Sequence, residues 1–507
     1  MNKKITRALI SVFYKDNLDA IIHQLAQQNV EFVSTGGTQE FIEKLGYQVT
    51  PVEKLTSYPS IFGGRVKTLH PAVFGGILFR REDSGDLKQA GEYNINPIDL
   101  VIVDLYPFEE TVSKGGSEAD IIEKIDIGGI SLIRAAAKNF NDVLIVSSRN
   151  QYAELLALLK NKNGGTDLAD RKHFAAMAFD TTSHYDTAIF AYFNQDEQIT
   201  SFKSSHPHGH ILRYGENPHQ KGLYFGDLEK LFEKLNGKEL SYNNLVDVDA
   251  AVNLVQEFAG EKAFVIIKHT NACGVATGSF VKDAYLKAFQ ADTISAFGGV
   301  LACNAPVDVA AAEEMNKLFF EILIAPGYEP AALELLKSKK NRIILKQNHL
   351  LNNTKQFKSL LNGVIEQDVD FKTDSKQDLK VVTKVAPTAS QVDALLFASK
   401  VCKHTKSNTI ILAVDGQMLA SGVGQTSRVD ALKQAIEKAQ AFGFKLEGAV
   451  MASDAFFPFP DCVEIAHQHG IKAVIQPGGS IKDQDSINYC DLNGMSMVFT
   501  GFRHFKH

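Results

Sequence analysis

Short apolar runs alternate with helical patterns through the first 200 residues, and this alternation limits the possible folds most. The run Ala8–Val12 precedes Leu18, Ile21, Ile22 and Leu25, whose spacing is that of one helical face. Alternation of this kind favours a parallel sheet with helices on both faces. The sequence therefore predicts an α/β fold for this region.

Other local signals extend this pattern. Asp16 is a candidate N-cap for the first helix. Glu31–Thr35 is predicted to be the second strand, and a helix is predicted over Gln39–Leu45. Asp99–Leu105 and Val143–Ser148 are predicted to be buried strands of the same sheet.

The chain has 507 residues, so two to four domains are expected. The polar stretch Gln195–His210 is predicted to be a linker, and the charged segment Asn352–Lys380 to divide the remainder into two halves. Two related α/β subdomains are possible there. The elements predicted after the linker are strands at Phe264–Lys268, Thr409–Val414, Ala449–Ser453 and Ala473–Gln476, and a helix at Ala431–Ala439.

Composition excludes several classes of protein. Hydrophobic residues make up 45% and charged residues 22%, as in an ordinary globular protein. No run approaches the ~20 apolar residues of a membrane span, and the start lacks the pattern of a signal peptide. The net charge of −6 argues against nucleic acid or a membrane as the main partner. The five dispersed cysteines form no CxxC pair, which indicates a reduced, cytoplasmic protein without a disulfide framework.

Four motifs in the first region suit a site for a phosphorylated ligand. Ser34–Thr38 joins a strand to a helix through glycines, and Gly63–Pro71 gathers Arg, Lys, Thr and His around glycines. Asp104–Phe108 closes a strand, and Asp126–Gly129 opens a helix that carries Lys138. Taken singly, each could be a turn, a solvated loop or a capped helix. Four together in one small domain favour a site.

The second region contains Lys268–Gly274, where a lysine and a histidine stand together at a strand end, as acid–base work requires. A structural histidine is the alternative for that pair alone. The polar motif Leu212–Gln220 follows the linker. The other motifs, each of which alone could be a turn or core packing, are Asp292–Val300, Lys406–Asn408, Gly424–Arg428, Ser453–Asp461, Gln476–Ser480 and Arg503–Phe505.

These motifs carry a family resemblance that covers nearly the whole chain. GGRVKTLHP, LYPF, IDIGG and RAAAKN resemble the cyclohydrolase domain of the bifunctional AICAR transformylase/IMP cyclohydrolase family. RYGENPHQ, KHTNACG and the motifs that follow resemble its transformylase domain. The resemblance implies a methylglyoxal-synthase-like parallel-sheet domain at 1–195, a linker at 196–210, and a transformylase domain of two cytidine-deaminase-like α/β subdomains at 211–507.

The resemblance also implies an activity. A formyl group would pass from 10-formyl-tetrahydrofolate to AICAR, and formyl-AICAR would close to IMP, in a cytoplasmic homodimer. Cytidine deaminases use zinc, but the HxE and PCxxC motifs that bind it are absent around Cys273, so no metal is expected. Nucleotides and folate are the expected partners.

Residue roles follow from the matching motifs. The catalytic set implied by the resemblance is Lys67, Tyr106, Asp126 and Lys138 for ring closure, and Lys268 and His269 for formyl transfer. The residues implied to bind the cyclohydrolase nucleotide are Lys15, Thr35, Gly36, Gly37, Thr38, Arg65, Thr68 and Asp104. Those implied to bind AICAR are Arg213, Tyr214, Gly298, Asn408, Arg428, Phe456 and Arg503, and those implied to bind folate are Asp461, Gly479 and Ser480.

Some positions depart from the family pattern. Phe13, Phe74 and Asp104 are expected near the cyclohydrolase pocket, where Asp104 would repel a phosphorylated ligand unless it is turned away or paired. In the second region Ala272 replaces a usual proline and Pro460 a usual arginine. Because the catalytic candidates are all present, both activities are expected to survive.

Two rival interpretations remain at this point. The first domain could be a non-catalytic sensor of phosphorylated metabolites, but a sensor would not need Lys67, Tyr106, Asp126 and Lys138 together. The whole chain could instead bind folate without turnover, against which the pair Lys268 and His269 argues.

Overall fold

A computed structural model describes residues 2–207 and 209–507. The chain divides into two compact units, the first of which ends at Pro207. This division falls within the predicted linker, whose residue His208 lies outside the described residues, as does Met1. No helix in the described ranges has both the length and the apolar character that a membrane span requires.

The first unit follows the alternating order that the sequence predicts. Its elements are β1 Lys3–Lys4, β2 Arg7–Ser11, α1 Leu18–Gln27, β3 Glu31–Ser34, α2 Gly36–Lys44, β4 Val49–Pro51, α3 Val52–Thr56, a 3₁₀ turn Phe62–Gly64, α4 Pro71–Leu78, α5 Ser84–Glu92, β5 Leu100–Val103, α6 Phe108–Ser113, α7 Glu118–Glu123, α8 Gly128–Lys138, β6 Leu144–Val146, a 3₁₀ turn Arg149–Gln151, α9 Tyr152–Asn161, β7 Gly165–Thr166 and α10 Leu168–Phe193.

A five-stranded sheet in the order β4-β3-β2-β5-β6 forms the centre of the first unit, and all its pairs are parallel. Both faces are buried, because two separate apolar clusters contain alternating residues of the same strands: Ile10 lies in one and Leu9 in the other. The predicted α/β fold with helices on both faces is therefore confirmed. Parallel strands place their carboxyl ends at one edge, where ligands bind in such folds.

Two local predictions differ from the structure. Asp16 does not cap α1: the N-cap is Asn17 in a left-handed conformation, and Asp16 instead pairs with Arg149 at 3.1 Å. The helix predicted over Gln39–Leu45 begins at Gly36, since the loop glycines already form its first turn.

The second unit is also α/β. Its elements are β8 Gly209–Ile211, β9 Leu223–Phe225, α11 Leu228–Leu231, β10 Phe232–Asn236, α12 Tyr242–Gln256, β11 Lys262–Lys268, β12 Asn271–Gly278, α13 Val281–Gln290, β13 Val300–Cys303, α14 Val309–Met315, β14 Ile322–Ala325, α15 Pro330–Lys337, β15 Ile343–Gln347, β16 Lys355–Leu360, β17 Gly363–Asp368, β18 Lys380–Val381, α16 Ala389–Lys403, β19 Ile410–Val414, β20 Gln417–Gly422, α17 Arg428–Ala441, β21 Val450–Ser453, α18 Asp461–Gln468, β22 Ala473–Gln476, α19 Asp483–Leu492 and β23 Ser496–Phe499.

A topological repeat organises the second unit. Its 12-stranded sheet contains the order β15-β14-β13-β11-β12 and then β20-β19-β21-β22-β23, so each half has one antiparallel hairpin followed by parallel strands. The halves meet where β12 pairs with β20 at Ala276 and Gln417. The hairpin β16–β17 lies between them in sequence, within the predicted dividing segment. The two halves thus share a strand order, while the relation between two subdomains and their likeness to cytidine deaminases stay predictions.

Two glycines hold the hairpin of each half against the helix that follows it. A Cβ on Gly274 would lie 1.8 Å from the Ala288 carbonyl oxygen in α13, and one on Gly422 would lie 1.8 Å from that of Ala431 in α17. Both obstacles are backbone atoms that cannot rotate away. The close approach of helix to hairpin therefore requires glycine at both positions.

Gly274→Ala is expected to destabilise the protein by about 3 kcal/mol or more, because a helix must move to admit the methyl group. Urea unfolding would measure the free energy change. Gly363→Ala, in the open hairpin with nothing within 4 Å of the added carbon, is the matched control and should change little. Equal stability of the two variants would contradict the proposed close packing.

Candidate functional site

A cavity of about 700 Å³ opens at the carboxyl ends of β2, β3 and β5 in the first unit. The helices α2 and α8 both begin at its wall. Helix N-termini carry free amides and partial positive charge, which suit an anionic ligand. The predicted site residues that line this cavity are Lys15, Thr35, Gly37, Thr38, Arg65, Lys67, Thr68, Asp104, Tyr106 and Asp126.

Hydroxyl groups join the two loops at the floor of the cavity. Thr38 Oγ1 accepts from the Val12 amide at 3.1 Å and lies 3.0 Å from its carbonyl oxygen. Thr35 Oγ1 lies 3.0 Å from Ser11 Oγ. The turn after β3 is therefore fixed against the loop after β2, which gives the cavity a preformed wall.

Asp104, which the sequence marks as a possible obstacle, is paired with the backbone. Its two carboxylate oxygens accept from the amides of Phe13 and Tyr14, the latter at 3.0 Å. Burial raises the pKa of the Asp104 carboxyl, while these amides and nearby Lys15 oppose that rise. Of the two alternatives, pairing is what the structure shows, although the carboxylate still lines the cavity.

Asp126 and Tyr106 form the candidate acid–base part of the cavity. Asp126 Oδ1 accepts from the Gly129 amide at 2.6 Å, which holds the carboxylate, and the Asp126 backbone amide donates to Tyr185 Oη at 2.8 Å, which holds the main chain. Burial raises the pKa of Asp126, which makes it a stronger base once ionised. Burial, with the charge of Asp126, also raises the pKa of Tyr106 and keeps the phenol protonated.

The loop Gly63–Pro71 supplies cations at the cavity wall. Lys67 is half-buried and takes part in no hydrogen bond or ion pair among the described residues. Thr68 is buried beside Gly128, where a Cβ would lie 3.1 Å from Thr68 Oγ1. Arg65 instead pairs with Glu123, a residue for which the sequence offered no signal. Lys67 is thus the cation most available to a ligand here.

Three residues that the sequence predicts near this cavity do not line it. Lys138 is exposed at the last position of α8, roughly 15 Å along the helix axis from Gly128 at about 1.5 Å per residue. Gly36 opens α2 beside the lining residues but is not one of them. Phe74 is not a lining residue either: it packs from α4 against one of the apolar clusters.

In the second unit, His269 and Thr270 form a strained turn. They are the two central residues of the hairpin β11–β12, between the paired Lys268 and Asn271, and both have positive φ, 52° and 65°. This conformation favours glycine or asparagine, and a β-branched residue there is unusual. Such strain persists where surrounding contacts impose it, and it gathers at functional sites.

Contacts around this turn orient both candidate catalytic groups. Lys268 Nζ donates to the Phe297 carbonyl at 2.9 Å, next to Gly298. The Thr270 amide donates to Asp247 Oδ1 at 2.7 Å, which fixes the turn to α12. Sequence reasoning missed Asp247, because a single carboxylate within a helix pattern gives no functional signal.

Hydrogen bonds near this turn involve the segments that carry two of the predicted AICAR residues, Asn408 and Arg428. Asn271 Oδ1 accepts from the Lys406 amide at 3.2 Å, and Asn408 Nδ2 donates to the Gln425 carbonyl at 2.9 Å. Arg428 Nη2 lies 3.4 Å from Asp454 Oδ1, while Arg428 Nε and Asp454 Oδ2 are buried without a hydrogen-bond partner. Lys406, two residues before Asn408, thus contacts the hairpin end, and Gln425, the partner of Asn408, lies three residues before Arg428.

The C-terminal residues contact the segments around Ser407 and Asp454. The His504 amide donates to the Asp454 carbonyl at 3.1 Å, and the Ser407 amide donates to the Lys506 carbonyl at 2.9 Å. Arg503 itself is exposed, with its guanidinium over the Phe505 ring at 4.3 Å. Phe456 follows Asp454 in the loop after β21 and is partly exposed. Asp454 contacts both Arg428 and the chain end, although no sequence motif assigned it a role of its own.

The remaining predicted residues lie in two other places. Arg213 Nη2 donates to Tyr214 Oη at 2.9 Å. Among the described residues, no hydrogen bond or ion pair joins these two side chains to the Lys268–His269 turn. The predicted folate residues lie after the neighbouring strands β21 and β22: Asp461 begins α18, and the amides of Gly479 and Ser480 donate to Asp483 at 2.7 and 3.0 Å. Lys482 Nζ lies 4.5 Å from the Phe459 ring, which brings the two loops together.

Comparisons with known proteins match residues of both units. A family model described as AICARFT/IMPCHase bienzyme matches residues 136–438, and a model of an MGS-like domain matches residues 17–131. The chain is 58% identical over 506 residues to the bifunctional purine biosynthesis protein PurH of Bacteroides thetaiotaomicron, covering 100% of this chain and 99% of that protein. The PurH protein of Aquifex aeolicus is 47% identical over 513 residues, with 99% of this chain and 100% of that protein covered.

These matches are far above chance similarity and span both units, so they agree with the two regions of motifs read from the sequence. The resemblance to an AICAR transformylase/IMP cyclohydrolase is thereby confirmed. This chain belongs to the AICARFT/IMPCHase bienzyme family.

Proposed function

We propose that this chain catalyses the last two steps of de novo purine nucleotide biosynthesis. The second unit transfers a formyl group to AICAR, and the first closes formyl-AICAR to IMP. The observation that carries the ring-closing activity is one cavity that combines two helix N-termini and Lys67 with a buried Asp126 beside Tyr106. A sensor of phosphorylated metabolites would need the anion-binding part without that acid–base pair.

Ring closure uses groups already joined in one molecule, so correct positioning supplies much of the acceleration. The nucleotide phosphate binds at the helix N-termini with Lys67, Thr68 and the turn Thr35–Thr38. The carboxamide nitrogen attacks the formyl carbon, Asp126 accepts the amide proton, and Tyr106 stabilises the developing oxyanion before water leaves. The raised pKa of Asp126 suits this role as a base.

Formyl transfer requires help because the AICAR amine is a weak nucleophile. The AICAR amine attacks the formyl carbon of 10-formyl-tetrahydrofolate while His269 removes the amine proton, and tetrahydrofolate leaves. Lys268, held by the Phe297 carbonyl, stabilises the oxyanion as a cation. The strained turn presents both groups at the same hairpin end.

The remaining residues take binding roles in the same proposal. Asn408, Arg428, Phe456, Arg503 and Gly298 contact AICAR, and Asp461, Gly479 and Ser480 contact the folate. Arg213 and Tyr214 complete the AICAR site of a second copy in a homodimer, which accounts for their lack of a contact with the turn. The protein acts in the cytoplasm and requires no metal for either step.

One experiment separates the two activities. Purified protein receives synthetic formyl-AICAR without folate, and absorbance follows IMP formation; AICAR with 10-formyl-tetrahydrofolate is supplied in parallel. We expect both reactions, and we expect Asp126→Asn to lose only ring closure, by about 10²–10⁴-fold. Formylation without ring closure in the unsubstituted protein would instead identify the first unit as a sensor.

Asp104→Asn is expected to improve nucleotide binding in the first unit. It removes a negative charge from the cavity, worth about 1 kcal/mol against a phosphate ~8 Å away at an effective dielectric constant of about 40, so KM for formyl-AICAR should fall about fivefold. Because burial raises the pKa of Asp104, the repulsion is present above that raised pKa and disappears as the pH falls below it. The difference in KM should therefore shrink in acid.

The matched control is Asp120→Asn, which removes an exposed carboxylate from α7. Initial rates of ring closure across pH would give KM for each variant. An unchanged KM in Asp104→Asn at neutral pH would show that its hydrogen bonds to Phe13 and Tyr14, rather than its charge, decide its effect.

A further inference from the structure

A second cavity, of about 560 Å³, lies in the second unit between the loops that precede β14 and β15. Neither the proposed AICAR residues nor the proposed folate residues line it. Its wall carries five cationic side chains and one carboxylate: Lys238, Lys317, Lys339, Lys340 and Arg342, with Glu321. This accumulation of positive charge contrasts with the net charge of −6 of the whole chain.

Arg342 is the group that distinguishes this cavity from a solvated basic surface. It is only 5% exposed, and its guanidinium lies 4.2 Å from the Phe320 ring. Nη1 donates to Asn316 Oδ1 at 2.9 Å and to the Leu336 carbonyl at 3.1 Å, both neutral acceptors. Within residues 2–207 and 209–507, no carboxylate lies within ion-pair distance of Arg342. A buried charge without a counter-charge is costly, which indicates that an anion balances it.

The lysines of this cavity divide into paired and available groups. Lys238 pairs with Glu321 at 2.6 Å, and Lys317 pairs with Glu314 at 2.6 Å. Lys339 and Lys340 are exposed, and in the described chain neither side chain forms an ion pair. Two exposed cations thus lie beside a buried guanidinium, so the available charge matches a ligand with two or more negative charges.

The C-terminal ends of two helices offset only part of the positive charge in this cavity. The Leu336 carbonyl belongs to the last turn of α15, and Asn316 is the C-cap of α14. A helix C-terminus carries roughly half an elementary charge, and its effect fades within a turn. These two ends offset the Arg342 charge only in part, because Asn316 contacts it through its side-chain oxygen and not through a free carbonyl of α14. They also leave the charge of Lys339 and Lys340 unmatched.

We propose that this cavity is a binding site for a small polyanion, whose charged group contacts Arg342 and is enclosed by Lys339 and Lys340. Its volume is within the range of small-molecule sites, and an arginine fork suits either phosphate or carboxylate oxygens. The ligand is therefore a phosphate compound or a polycarboxylate. Neither proposed reaction is assigned a residue that lines this cavity.

Lysine footprinting of the full-length protein tests this site. An amine-acetylating reagent is applied at low ionic strength with no probe, with inorganic pyrophosphate or with tricarballylate, and peptide mass spectrometry gives the acetylation rate of each lysine. A probe at about ten times its Kd should slow acetylation of Lys339 and Lys340 about tenfold. Lys433 and Lys445, exposed elsewhere in the same unit, are internal controls whose rates should not change.

The probes distinguish the two ligand chemistries. Protection by pyrophosphate alone identifies a phosphate site, protection by tricarballylate alone identifies a polycarboxylate site, and protection by both supports the shared anion chemistry. Arg342→Gln, which keeps a hydrogen-bonding group without charge, should weaken the protecting probe about tenfold. If that variant does not fold, the footprint of the unsubstituted protein still decides. Protection by neither probe, or equal slowing of Lys433 and Lys445, would overturn the proposal.

Discussion

Replacing His269 with asparagine and Thr270 with glycine together is expected to abolish formyl transfer while making the protein more stable. The pair occupies a two-residue hairpin turn in which both φ angles are positive, 52° and 65°. Asparagine followed by glycine is the preferred sequence for that conformation. The substitution therefore removes strain and the proposed base at once.

The expected magnitudes differ greatly between the two effects. Loss of a general base should lower formyl transfer by about 10²–10⁴-fold. Residues held at positive φ cost about 1–3 kcal/mol each, so relief of the Thr270 conformation should raise the unfolding free energy of the protein by about 1–2 kcal/mol. Part of that gain is offset, because the hydrogen bond from Thr270 Oγ1 to the His269 carbonyl at 2.6 Å is lost.

Urea unfolding and formyl-transfer assays on the same protein preparation would measure both effects. Ring closure of synthetic formyl-AICAR should be unchanged, because its proposed residues lie in the other unit. Asp415→Asn, in the corresponding hairpin turn of the second half, is the matched control and should change neither activity nor stability. A variant that is less stable, yet still transfers the formyl group, would contradict both the strain and the catalytic role of this turn.

Mixing two inactive variants should restore ring closure, and this second result depends on where Lys138 lies. Lys138 ends α8, whereas the cavity lies at the first turn of that helix. A lysine side chain extends about 6 Å, too short to return along the roughly 15 Å of helix between them. If Lys138 transfers a proton, as the family resemblance implies, it serves the cavity of a second copy.

Lys138→Ala and Asp126→Asn should then each be inactive alone. In a mixed dimer, one cavity has an intact Asp126 and receives Lys138 from the other copy, and the second cavity lacks both groups. Random pairing gives half mixed dimers, each with one working site, so about a quarter of the original activity should return.

The two variants would be mixed under conditions that allow subunit exchange, and IMP formation from synthetic formyl-AICAR would be compared with each variant alone. Lys88→Ala, an exposed lysine of α5, is the control and should be active without mixing. No recovery on mixing, with Lys138→Ala inactive alone, would place Lys138 in its own cavity. Full activity of Lys138→Ala alone would remove it from the catalytic set.

The sequence predicted the fold well where burial and periodicity act together. The strands β11, β19, β21 and β22 have buried apolar residues that read as continuous runs, and each lies close to its predicted position. The helix α10 was missed, because its buried face includes Arg171 and Thr182, whose polar side chains hide the apolar spacing. The N-cap at Asn17 was missed because its capping role depends on a left-handed backbone rather than on a side-chain hydrogen bond.

The site was predictable to the extent that its residues cluster in short motifs. Parallel strands end at one edge of the sheet, as the predicted alternation already required. The site residues meet at that edge: Thr35–Thr38, the loop Gly63–Pro71, Asp104, Tyr106 and Asp126. Pairings between distant segments were not predictable. Glu123 pairs with Arg65, and Asp247 accepts from the Thr270 amide. These partners are far apart in the sequence, so the local spacing of residues does not indicate them.

The repeated strand order of the second unit has a consequence for how its chain must be connected. Each half contains one apolar cluster of its own. A third cluster contains residues of both α12 and α16 and packs against the common sheet. The only covalent passage from one half to the other runs through the exposed hairpin β16–β17, whose tip residue Leu361 is 98% exposed. A cut at that tip would leave both half-sheets and the shared cluster intact, so two separately synthesised fragments should assemble into a working transformylase.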